Sequence, residues 1–178
     1  MTDNHVDVDS LFGRFLAKET ENPLYFGEKL AKVGTDEVRT RLLNLLDLED
    51  MDDAFLAVKA LLLMPNKEET LERLLSTILR PANRGKNGGL VSLLEEFDLG
   101  EHFVDIFRIF LFGTFKASTL AKGYLDYMEF EITPRTLKKV EKHWNHFLNN
   151  ASNDDSFELK KMEGEEIIQE LKDLLSQG

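Results

Sequence analysis

The chain has no cysteine, which excludes disulfides, thiolate metal sites and a cysteine nucleophile. It is also short of positive charge. Lys and Arg number 22 against 33 Asp and Glu, a formal net charge of −11. Phosphate binding needs clustered cations, so nucleic acid is not the expected partner. The balance suits a basic protein partner, or solubility alone. No long hydrophobic run is present either. The longest, from Phe103 to Phe115, is interrupted by Asp105 and Arg108 and is too short to span a bilayer. The opening MTDNHVDVDS has neither a cationic segment nor an apolar one, so it does not read as a secretory signal. The expected setting is cytoplasmic, with no membrane association.

Strict two-residue alternation is missing throughout, which argues against strands. The four prolines all sit where one apolar pattern stops or another starts. What is present is apolar spacing of helical period. Hydrophobic residues make up 42% of the chain, enough to exclude disorder and support a packed core. Asp9 or Ser10 can cap a first helix bearing Leu11, Phe12, Phe15 and Leu16. Asn22-Pro23 opens a second, ended at Gly34, and Thr35 caps a third. The acidic run from Asp47 to Asp53 starts a fourth, and Pro65-Asn66 separates it from a fifth. The segment PANRGKNGG (81–89) is irregular. A short helix around Leu90, Leu93 and Leu94 follows, then the apolar helix 103–112. Thr114 or Ser118 opens the next, and Thr133-Pro134 starts one carrying Val140, Trp144 and Phe147. A polar linker, 151–156, precedes a last amphipathic helix.

These faces repeat. Leu42, Leu74 and Ile106 are 32 residues apart, as are Leu43, Leu75 and Phe107, and Leu46, Ile78 and Phe110. Near Trp144 the spacing lengthens to about 34. A repeated face that cannot bury itself alone predicts stacked helix pairs. The predicted fold is all-α, about ten helices in one domain over 1–178, with antiparallel pairs at 22–48, 52–80, 88–112 and 115–148. Helices at 9–19 and 157–176 would cap the array.

Over residues 22–148 this pattern resembles the HEAT-type α-solenoids. The resemblance rests on the pair length, the 32-residue shift, and the turn Asn83-Arg84-Gly85 leading to Leu90-Val91 and Leu93-Leu94. The Asp and Arg ladder of regular HEAT repeats is absent. The resemblance implies macromolecular binding rather than catalysis. Such proteins include scaffolds, adaptors and small bacterial proteins that look like immunity proteins of secreted toxins. The expected function is therefore non-enzymatic: an acidic inhibitor that binds and neutralises a cationic toxin, with a scaffold role or a nucleic-acid or small-ligand module as alternatives. No cofactor is expected.

Candidate sites are few. His143 and His146 lie three apart in HWNH and could begin a metal site, but no third ligand appears at a recognisable spacing. Solvation or capping is the alternative, and no metal is expected. Asp47, Glu49, Asp50, Asp52 and Asp53 lack the glycine and terminal glutamate of a calcium loop. They can form an ordinary acidic helix start or an acidic patch for a cationic partner. Gly85-Lys86-Asn87-Gly88-Gly89 precedes a helix without the Ser/Thr of a phosphate loop. Its glycines fit a sharp turn, with Asn87 as N-cap and Arg84 paired with Glu95 or Asp98; an anion site at the helix start is the alternative. Arg135, Lys138, Lys139 and Lys142 form a basic stripe that is solvated or pairs with Glu163, Glu165, Glu166 and Glu170. No catalytic constellation is recognisable. Thr77 and Arg80 fall off the apolar face of their helix, yet the 32-residue shift pairs them with apolar Ile109 and Phe112. The helix 103–112 is thus apolar on a second face, either buried or exposed to a partner and rimmed by Glu101, Asp105 and Arg108.

Overall fold

The computed structural model describes residues 7–151 and 155–177. Among these the protein is all-α: ten helices, two short 3-10 segments and no strand. Among the described residues no helix is long and apolar enough to cross a membrane. The chain forms two compact units, one running to Thr77 and the other beginning at Ile78.

The first unit holds α1 (Val8–Leu16), α2 (Pro23–Val33), α3 (Asp36–Leu45), α4 (Met51–Leu61) and most of α5 (Lys67–Leu79). Its helix ends follow local chemistry closely. Asn22, Thr35 and Asp50 each accept backbone N–H bonds at the starts of α2, α3 and α4, satisfying donors that have no partner within the helix. The first helix is capped by Asp7 rather than by Asp9 or Ser10; the Asp7 carboxylate accepts from Ser10 N–H at 3.2 Å. Gly34 closes α2 at φ 65°, a conformation glycine adopts without steric cost. Within this unit α2 and α3 both pack on α4, and α1 packs on α2. Arg39 ties the turn before α5, donating to the carbonyls of Pro65 and Asn66 at 2.6 and 2.8 Å and pairing with Glu69.

The second unit contains α6 (Gly88–Ser92), α7 (Phe103–Phe112), α8 (Phe115–Tyr127), α9 (Pro134–Asn150) and α10 (Phe157–Ser176). Helix α7 is its centre and packs on α8, α9 and α10. Phe107, Phe110 and Ile106 are essentially inaccessible. The close packings of α3 on α4 and of α7 on α8 join helices that the 32-residue shift assigns to different pairs. The shift reads faces along the chain, whereas packing also depends on how tightly each connection turns. Gly113, in the two-residue corner between α7 and α8, shows this. A Cβ there would crowd the Ile109 carbonyl and Ala117, so glycine lets the two helices fold directly onto each other.

Tyr124 and Lys160 are among the polar groups buried in this core. Tyr124 on α8 donates to the Val91 carbonyl at 2.9 Å, and burial pushes its hydroxyl up to about 12. Lys160 on α10 is 2% exposed and donates to the carbonyls of Leu111 and Gly113 at 3.2 and 2.9 Å. A cation at a helix C-terminus satisfies open carbonyls and opposes the negative end of the helix dipole.

Candidate functional site

The residues singled out in the sequence fall in both units. In the first, much of the acidic run serves the fold. Asp50 caps α4 through its contacts with Asp52 N–H and Asp53 N–H, and pairs with Lys18 at 2.8 Å. That lysine hydrogen bond is the main cause holding the Asp50 carboxyl below its usual value. Asp47 pairs with Arg73 at 2.6 Å. Asp53 lies 3.9 Å from Lys18, and partial burial pushes its carboxyl up, aided by the charge of Asp50. Asp52 and Glu49 are exposed, as is Leu48 between Asp47 and Glu49.

Thr77 is not off the buried face. It is fully buried, its hydroxyl 3.0 Å from the Leu46 carbonyl and 2.9 Å from that of Arg73. A side chain that can bond back to the preceding turn enters a core without an orphaned hydroxyl.

In the second unit Ile109 is 2% exposed. Phe112 is half-buried, its ring 5.7 Å from that of His146 and 6.1 Å from that of Phe147. Helix α7 therefore buries its second apolar face at Ile109 and brings Phe112 to the wall of a cavity of about 310 Å³. That volume is at the lower end of the range for sites that take small molecules or side chains.

The cavity is built from two helical faces of the same spacing. Arg108, Ile109 and Phe112 come from α7, and Lys142, His143 and His146 from α9. Each triplet is i, i+1, i+4, and a 34-residue shift carries one onto the other. The stripe Val140, Trp144 and Phe147 is buried, which fixes the rotation of α9 and leaves the adjacent face to the cavity. Arg84 and Asn87, from the irregular segment before α6, complete the polar lining.

The lining is positive. Arg84, Arg108 and Lys142 contribute to it, and no carboxylate is among the described lining residues. Asp105 is the nearby acid, at 3.4 Å from Arg108 and 3.5 Å from His102. Burial holds His143 below its ordinary value, and the charges of Arg108 and Lys142 push the same way. At His146 the Asn150 amide lies 3.2 Å from Nδ1.

Two expectations change here. Arg84 does not pair with Glu95 or Asp98; its guanidinium lies over the Phe112 ring, 5.2 Å from the centroid, a favourable seat for a planar cation. Asn87 does not cap α6 with its side chain. It turns inward and donates to the Ile78 carbonyl at 2.7 Å, and its Oδ1 is buried without a partner. His143 and His146 share a cavity with cations and no acid, and the described residues contain no group of three or more His, Asp or Glu able to hold a metal ion. The basic stripe is exposed, and Arg135, Lys138 and Lys139 make no ion pair among the described residues. The ion pair between α9 and α10 is instead Glu141 with Lys172, at 3.1 Å. Glu101 is exposed ahead of α7.

The sequence marked Arg108, Ile109 and Phe112, and separately Lys142, His143 and His146, but not that the two triplets line one cavity. The usable signal was the 34-residue spacing, followed position by position instead of only near Trp144. Compared with known proteins, the chain matches no protein family, no curated protein and no solved structure.

Proposed function

We propose that this protein is a non-enzymatic binding protein whose second unit takes up an acidic group of its partner. The observation behind this reading is the convergence of Arg84, Arg108, Lys142 and two histidines on one cavity, on a chain of net charge −11. Arg108 has Asp105 beside it at 3.4 Å, but Arg84 and Lys142 have no carboxylate partner among the described residues, and an anion placed among the three cations is favoured. The histidines have no lining carboxylate or hydroxyl beside them to form a nucleophile–base pair, so binding fits the cavity better than catalysis. The test is an NMR titration with sodium glutarate, a simple dicarboxylate. Shifts at Arg108, His143 and His146, abolished in Arg108→Gln, are expected. Shifts only elsewhere, or none at millimolar ligand, would overturn the reading.

A second reading keeps the resemblance to HEAT-type solenoids and to immunity-type inhibitors of cationic toxins. It is favoured by Leu48, 52% exposed between Asp47 and Glu49. An apolar anchor with an acidic rim suits a basic protein surface. Co-expression with the product of the adjacent open reading frame tests it. A stoichiometric complex weakened by Asp52→Lys is expected, and no complex removes the idea.

A further inference from the structure

The cationic cavity has a neighbour. A second, more open groove of about 670 Å³ shares Arg84, Phe112 and Gly113 with it and continues to Phe115 and Leu159. Phe115 is 76% exposed and Leu159 48%. These are large side chains that ordinarily gain by being covered. Charge divides the two spaces. The cavity has no carboxylate among its described lining residues, whereas the groove has Asp155. An acid is therefore favoured in the cavity and an apolar group in the groove, with the Arg84–Phe112 pair at their common border. The third feature is the buried, unpartnered Oδ1 of Asn87. Its amide orientation is set by the bond to the Ile78 carbonyl, since a flip would place two oxygens together. An unmet acceptor calls for a donor, which a bare carboxylate lacks and a peptide N–H supplies.

We propose that the cavity and groove together bind a linear segment of a protein partner, with an Asp or Glu side chain among Arg84, Arg108 and Lys142 and a large apolar side chain against Phe115 and Leu159. This deepens the binding function proposed above and rests on it. The cavity and the groove meet at Arg84, Phe112 and Gly113, so the two anchors are near neighbours along the partner's chain.

The test is selection of a phage-displayed random dodecapeptide library on the full chain, followed by anisotropy measurements on labelled synthetic peptides. Enriched peptides should combine Asp or Glu with a nearby Leu, Phe or Ile. Changing either anchor, acid to amide or apolar to Ser, should weaken binding about tenfold or more. Lys142→Gln and Phe115→Ser alter exposed side chains, so the fold survives, and each should cause a similar loss. Inorganic phosphate at 10-fold molar excess over peptide should not displace it. No enrichment, enrichment of basic or neutral peptides, or insensitivity to both variants overturns the proposal. Displacement by phosphate overturns it in favour of a small-anion site. Glutarate binding without peptide enrichment would retain the anion-binding function and remove only the peptide.

Discussion

The indole ring of Trp144 on α9 lies directly against the backbone of Gly164 on α10. A Cβ at position 164 would collide with the ring, so the absence of a side chain there sets how closely the two helices approach. Behind this contact Trp144 stacks on Phe147 at 5.6 Å, and Phe147 on Phe157 at 5.1 Å. Gly164→Ala sets two effects against each other. Alanine improves helix propensity by about 1 kcal/mol, but overpacking a tight core costs about 1–3 kcal/mol. The net expectation is a loss of about 1 kcal/mol, read by urea unfolding through the fluorescence of this single tryptophan. Gly123→Ala, where a Cβ meets nothing within 4 Å, should instead stabilise. Equal effects at the two glycines would refute the packing argument.

Lys160 should matter far more than its place on a charged helix suggests. Lys160→Met keeps most of the aliphatic stem but leaves the Leu111 and Gly113 carbonyls without their donor. Leaving buried acceptors unpaired costs about 1–3 kcal/mol. A drop in urea midpoint at unchanged m-value is expected. Lys161→Met, at the half-buried position beside it, serves as the control and should change stability by less than about 0.5 kcal/mol.

The acidic turn before α4 separates structural from surface acids. Asp50→Ala removes the cap bonds to Asp52 N–H and Asp53 N–H, and caps of this kind contribute about 0.5–2 kcal/mol. Asp52→Ala, at an exposed position, should fall within about 0.5 kcal/mol of the parent. Thermal unfolding of the two variants provides the comparison. Because Asp50 is held below the usual carboxyl value of 3.8, its contribution is present above that value and is lost as pH falls through the depressed one.

His143 should titrate below the ordinary histidine value of 6.5. Between its depressed value and 6.5 the unfolded chain binds more protons than the folded one, so stability rises with pH across that window and is complete above it. NMR of the ring protons reads the midpoint directly. Burial is the larger cause, so Lys142→Gln should raise the midpoint only in part. A midpoint already at 6.5 in the parent would contradict the buried, cationic setting.

Helix composition and helix ends were legible in the sequence because both are local. Asn22, Gly34, Thr35 and Thr133-Pro134 sit at the predicted boundaries, and α9 begins with a reciprocal bond between Thr133 and Thr136. Ile109 and Phe112 were legible as anomalies, since an apolar residue out of register with a preceding copy is visible in the letters. Their fates differ because Ile109 turns into the core while Phe112 meets His146 and Arg84. The cavity itself was not legible. It depends on α7 and α9 facing each other, a relationship no single helix encodes. Arg84 and Asn87 were misassigned for the same reason. Their nearest partners in sequence, Glu95 and the α6 backbone, lost to an aromatic ring and a carbonyl brought in by the fold.

The bonds from Lys160 to Leu111 and Gly113 span 49 and 47 residues. The end of the central helix is thus completed by a residue synthesised long after it. Synthesis runs from α7 to α10, so these carbonyls lack the Lys160 donor until α10 has been made. A nascent chain arrested before Lys160 should remain open to proteolysis near Gly113, and one arrested beyond α10 should not.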